Sequence, residues 1–139
     1  MTSDERGQAL IESVLLGLLL IVPIVWGLMV LAEVHRAALA TTSAAREAGF
    51  DATRSADLTT ADGSVDRAVS LALTNHGLDA GDSGIQWSAP DGLDRGARVE
   101  VHVTYPVGVV RFPFLGEVSG PSIWVRSTHV ARVDPFASR

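Results

Sequence analysis

Residues 7–33 read GQALIESVLLGLLLIVPIVWGLMVLAE. From Ser13 to Ala32 the chain carries 20 residues without a charge. At about 1.5 Å rise per residue this run spans roughly 30 Å as a helix, the thickness of a bilayer's hydrocarbon core. Such a helix separates a membrane-length segment from whatever domain follows. Glu33 to Arg139 supplies 107 residues for that domain. That is enough to bury a modest core without covalent staples. The total of 139 residues is one domain's worth. Mean hydropathy is positive, +0.25, and the excess lies in the apolar run.

Composition narrows the chemistry. The chain has no cysteine, which excludes disulfides, thiolate nucleophiles and thiolate metal sites. Net charge is −5, and from Glu33 onward 13 acids face 10 arginines. That balance argues against a general nucleic-acid binder. All 11 basic residues are arginine.

Three readings fit the N-terminal segment. The first is a cleaved secretory signal. Such signals have apolar regions of about 7–15 residues behind a basic start. Here the run is longer and Asp4 and Glu5 offset Arg6, although Val30-Leu31-Ala32 resembles a cut site. The second is a plain single-span anchor, whose orientation is poorly determined because Arg6 and Arg36 flank opposite ends. A plain anchor does not account for Glu12. A carboxylate costs about 2.5–3.5 kcal/mol at the bilayer centre, and less near the edge, where it can snorkel. The third reading takes the pattern whole: a short polar leader ends in Gly7, Gln8-Ala9-Leu10-Ile11-Glu12 follows, and then the apolar helix.

That pattern resembles the class III signal of type IV pilin-like proteins. The resemblance implies cleavage by a prepilin peptidase between Gly7 and Gln8, which makes Glu12 the fifth residue of the mature chain. Cleavage frees an α-amino group at Gln8. In an assembled filament a neighbour's amine can approach Glu12 inside a low-dielectric helix core. A lone charge there is expensive, whereas a well-made pair is tolerated and fixes register. Glu12 then serves subunit addition. Two further features fit helix packing. Ala9, Ser13 and Gly17 place small side chains on one face. Pro23 removes one helical hydrogen bond and should kink or loosen the helix.

Residues 33–50, EVHRAALATTSAAREAGF, continue the helix as far as Ala48, with Gly49 as the expected stop. The helix would then hold about 40 residues and measure about 60 Å. ATTSAAREAG, residues 40–49, is similar to the alanine-rich AAREGA-type segment of TadE-like proteins, the small pilin-like proteins of tight-adherence (Flp-type) pilus systems. This likeness covers roughly residues 1–50. Residues 51–64 read as a polar loop. Val65 to His76 is an amphipathic helix begun by Asp62 or Ser64 and closed by Gly77. Residues 80–84 form a turn, Ile85 to Ala89 a short strand, and Asp91 to Gly96 another turn. Val99 to Tyr105 alternates most clearly of all, and Pro106 and Pro113 should break it. Ser122 to Val133 is a third strand with Ile123 and Val125 on one face. Its less regular alternation predicts a bulge or twist.

The expected fold class is therefore α+β: a long N-terminal transmembrane helix, one further helix and about three antiparallel strands, with the long helix covering the sheet. This layout resembles a minimal pilin. The expected divisions are a leader at 1–7, a span at 8–32, a helix extension at 33–50 and an extracytoplasmic domain at 51–139.

No pattern predicts enzyme chemistry. His35, His76, His102 and His129 share no metal-ligand spacing. Asp79 and Asp82 in LDAGDSG lack the ligand series of a calcium loop and read as a solvated turn. Nucleophile-elbow, phosphate-loop and dinucleotide motifs are missing. Trp87 and Trp124 read as core or sheet-face residues, and Trp26 as facing lipid or a helix. No catalytic residue, metal or cofactor is expected. The resemblance implies a structural minor pilin or pseudopilin held in the cytoplasmic membrane, its N-terminus inside and its C-terminal domain outside, reaching a pilus or the cell surface on assembly. Its implied partners are other pilin subunits, pilus assembly proteins, the prepilin peptidase and the membrane, with neither nucleic acid nor a small-molecule substrate. The alternative is an unprocessed, membrane-anchored extracytoplasmic binding module.

Overall fold

A computed structural model of the chain describes residues 3–109 and 120–136, with side chains from residue 7 onward. It contains helix α1 (Ser3–Arg54), helix α2 (Leu58–Asn75), a short 3-10 turn (Ala80–Asp82) and strands β1 (Gly84–Ser88), β2 (Arg98–Gly108) and β3 (Ser122–Arg132). The strands form one antiparallel sheet in the order β1-β2-β3. The α+β class expected from the sequence is the one observed. Two compact units meet between Glu33 and Val34.

α1 has 52 residues, against the 40 or so expected. It runs through Pro23, and it runs through Gly49 instead of stopping there. The reason lies in its second half. Ala37, Ala40, Thr41, Ala44, Ala45, Ala48 and Ala52 are buried, at the three- and four-residue spacing that places them on one helix face. Gly49 belongs to this stripe. A Cβ on it would stand 2.9 Å from His129 Cδ2 and 3.4 Å from Ala131 Cβ. A glycine costs a helix interior roughly 1 kcal/mol relative to alanine. Here it permits the close approach of α1 to β3, so Gly49 is a packing residue and not a stop. Around it the Phe50 ring lies 5.8 Å from the His129 ring, and Arg46 stands 5.7 Å over Phe50.

Polar groups at this contact are satisfied. Thr41 Oγ1 donates to Ala37 O in its own helix at 2.9 Å and lies 3.0 Å from Ser127 Oγ on β3. Thr42 Oγ1 donates to Ala38 O at 2.7 Å and also reaches Ser127 Oγ. Among the described residues no buried side-chain nitrogen or oxygen lacks a partner.

The loop expected over residues 51–64 is largely helical. α1 ends at Arg54 and α2 begins at Leu58, so the break is Ser55 to Asp57. Ser55 turns the chain by donating its hydroxyl to Asp51 O. Asp57, rather than Asp62 or Ser64, caps α2: its carboxylate accepts from Thr60 N at 2.7 Å. This backbone hydrogen bond holds the Asp57 carboxyl below its ordinary pKa. Ala61, Val65, Ala68, Val69, Ala72 and Leu73 form the buried face of α2. Gly77 closes it as expected, in a left-handed conformation at φ +70°. Gly77 N donates to Thr74 O and Leu78 N to Leu73 O, the paired bonds of a Schellman closure.

β2 supplies the centre of the core through Val99, Val101, Val103, Tyr105 and Val107. Pro106, expected to break this strand, lies inside it and pairs with Trp124. β1 ends its pairing at Thr104, so β2 is an edge strand at Pro106, where a missing N–H is tolerated. The expected Pro113 break falls outside the described residues. β3 shows no bulge; its eleven pairs with β2, from Arg98↔Arg132 to Gly108↔Ser122, keep one unbroken register. Its irregular alternation arises because the face toward α1 carries Ser127 and His129 beside Val125 and Ala131. On β1, Trp87 Nε1 donates to Asp62 Oδ1 of α2 at 2.8 Å.

Because the second unit contains its own core, a fragment beginning at Val34 should fold and unfold cooperatively by circular dichroism. In that fragment Gly49→Leu should cost about 1–3 kcal/mol in denaturant unfolding, as overpacked sites do. A fragment without a cooperative transition would contradict this division.

Candidate functional site

The first candidate is the apolar half of α1. Between Leu10 and Leu31 every large apolar side chain except Val30 is exposed, Leu19 by 72%. This is the one helix among the described residues long and apolar enough to cross a membrane. Contiguous apolar surface of this extent is foreign to a water-facing helix and natural to a lipid-facing one.

The residues singled out in the sequence all fall on this helix. Gly7, Gln8, Ala9, Glu12, Ser13 and Pro23 are exposed, and Gly17 is half-buried. Gln8 and Glu12 stand one turn apart on one face, as do Ala9, Ser13 and Gly17 in succession. No heavy atom lies within 4 Å of a Cβ built on Gly7 or Gly17. The fold itself therefore does not require glycine at either position. Gly7–Gln8 is helical, not extended, so a peptidase acting there must unwind a turn first. Glycine lowers that cost. Met1 and Thr2 of the expected leader lie outside the described residues.

A second candidate was not singled out in the sequence. The sheet face turned away from the helices carries in succession the cross-strand rows Gln86–His102–Thr128, Gly84–Thr104–Arg126 and Pro106–Trp124. A cleft of about 300 Å³ opens there, lined by Gly84, Ile85, Gln86, His102, Thr104 and Arg126. Gly84 makes room for the Thr104 side chain: a Cβ on it would stand 2.5 Å from Thr104 Oγ1. Thr104 Oγ1 donates to Gly84 O at 3.3 Å. His102 is fixed, with Nδ1 2.7 Å from Thr128 Oγ1 and Nε2 3.4 Å from Glu100 Oε1. Trp124 is 66% exposed on this face, whereas Trp87 is half-buried on the other. The available sequence signal was parity in β3: Trp124, Arg126 and Thr128 alternate with Val125, Ser127 and His129.

The four histidines lie apart: His35 on α1, His76 at the end of α2, His102 on the outer sheet face and His129 on the inner one. Among the described residues no cluster of acidic and histidine side chains is placed to hold a metal ion. Asp79 caps the 3-10 turn, accepting from Gly81 N at 2.9 Å.

Expressed whole, the chain should sediment with membranes and resist extraction by alkaline carbonate. The fragment from Val34 should stay in the supernatant. Release of the whole chain by carbonate would remove the membrane-spanning assignment. No protein-family model, curated protein or solved structure matches the chain.

Proposed function

We propose that this chain is a pilin-like structural subunit of the TadE-like kind, processed after Gly7 and assembled through its N-terminal helix in a tight-adherence type IV pilus system. One observation carries the reading: α1 passes without interruption from an exposed apolar segment into the small-residue stripe that seats the sheet. A single helix thus offers both a membrane-length surface and the organising element of a small α+β domain. The class III signal pattern supplies the second support.

Cleavage would change the electrostatics at Glu12. In the uncut chain this carboxylate lies well inside α1. Cut before Gln8, it comes to lie near the new helix N-terminus, where the dipole and the unpaired N–H groups favour an anion. The new amine can then be shared between its own Glu12, one turn away, and that of a neighbour. On this reading the protein sits with its N-terminus in the cytoplasm and its α+β domain outside. Its partners are other pilin subunits, the assembly machinery and the peptidase. It performs no catalysis of its own.

The helical state of Gly7–Gln8 favours a second reading, an unprocessed anchored binding module. Intact mass of the protein from its native host separates the two. The proposal expects a mature chain beginning at Gln8, and a Gly7→Val variant that keeps the leader. Wild-type protein retaining residues 1–7 would establish the second reading.

Glu12→Gln and Glu12→Leu test the assembly role. Both variants should insert and be cut after Gly7, yet be depleted from sheared-pilus fractions. An amine left buried without its counter-ion costs about 3–5 kcal/mol in comparable broken pairs. Normal incorporation of both would reduce Glu12 to an edge residue of the span.

A further inference from the structure

We infer that the outer face of the sheet binds a saccharide unit bearing a carboxylate, with Arg126 as the carboxylate ligand and Trp124 as the stacking platform.

Charge is the first ground. The chain is acidic overall, at −5, yet the outer face of β2 and β3 carries Arg98, Arg126 and Arg132 against one carboxylate, Glu100. Glu100 is engaged beside His102. Arg126 has no hydrogen-bond or ion-pair partner among the described residues, and it lines the cleft. Its guanidinium presents a planar fork suited to a carboxylate in bidentate geometry.

The cleft supplies the second ground. Its volume, about 300 Å³, exceeds what a bare anion fills and stands at the lower limit for small-molecule sites. Beside Arg126, its polar lining from Gln86 and Thr104 is neutral and can both donate and accept. The Gln86 amide has no partner among the described residues and can donate and accept. Thr104 spends its proton on Gly84 O and keeps its lone pairs. Hydroxyl groups, which donate and accept at once, are the complement of such a set. His102 is held at both ring nitrogens and forms a fixed wall.

Trp124 is the third. Its row adjoins that of Arg126, on the stretch where β1 no longer flanks β2. There the indole is exposed opposite Pro106, with no aromatic or cationic neighbour among the described contacts. An exposed ring one row from a cation and two neutral polar groups suits a pyranose: C–H groups on the indole, the carboxylate on Arg126, hydroxyls on Gln86 and Thr104.

The test is a titration of the full chain, held in uncharged phosphocholine nanodiscs, with tetragalacturonate. Maltotetraose and inorganic phosphate serve as neutral-sugar and bare-anion probes. Calorimetry should show saturable binding of the uronate and no comparable binding of the other two. Arg126→Gln should weaken it by about tenfold or more, the loss of a charge-assisted bidentate contact. Trp124→Ala should weaken it by roughly fivefold, and Gly84→Ala should weaken it by displacing the Thr104 hydroxyl. Arg98→Gln, on the same face outside the cleft, should leave affinity unchanged. Arg126 and Trp124 are exposed, so circular dichroism of their variants should match wild type. Absence of saturable uronate binding would overturn the inference. So would equal binding of maltotetraose, equal binding of phosphate, or an Arg126→Gln affinity matching wild type.

Discussion

The close seat of α1 on β3 is the constraint on which the rest of this structure depends. At Gly49 the helix comes so near that one added carbon would meet the His129 ring. The stripe from Ala37 to Ala52 is built of alanines, one threonine and this glycine for the same reason. Small side chains contribute little buried area each, so such an interface gains its stability from density of contact. Bulk comes from the valines of β2 and the Val65, Val69 and Leu73 face of α2. The closeness also explains the polar residues at this contact. Ser127 and His129 can face a helix because Thr41, Thr42 and the Phe50 ring meet them there.

One helix therefore changes its solvent along its length. From Ser13 to Ala32 it is apolar on all sides, the pattern of a segment suited to hydrocarbon. From Val34 onward it is apolar on one face and polar on the other, the pattern of a segment covering a sheet. The boundary between the two compact units falls where the pattern changes. Glu12 and Pro23 are departures from the first pattern, and both are exposed on α1.

The class of the fold and its element order were legible in the sequence because strong periodicities survive without context. The alternation over Val99 to Tyr105 needs only a half-buried strand, and the apolar run needs only lipid. What was misread depended on partners distant in sequence. Gly49 looks like a helix stop until His129 is brought against it. Pro106 looks like a strand break until β1 is found to end two residues short of it. Asp57 could not be preferred to Asp62 as the cap, since both precede apolar helical spacing. Asp62 instead receives the Trp87 indole from β1. Of the candidate sites, the N-terminal pattern is local to one stretch of sequence. The outer-face cleft is not, since it joins Gly84, Thr104 and Arg126 from three strands through a register no single stretch reveals.

α1 runs as one helix, Ser3–Arg54, from the apolar segment into the buried stripe. Amide hydrogen exchange of the full chain in nanodiscs, resolved along residues 10–54, tests this most directly. Protection should run unbroken from the apolar segment through Glu33 and Val34 to the Ala37–Ala52 stripe. Rapid exchange confined to residues near 32–37, between two protected segments, would show a hinge joining two helices and contradict it.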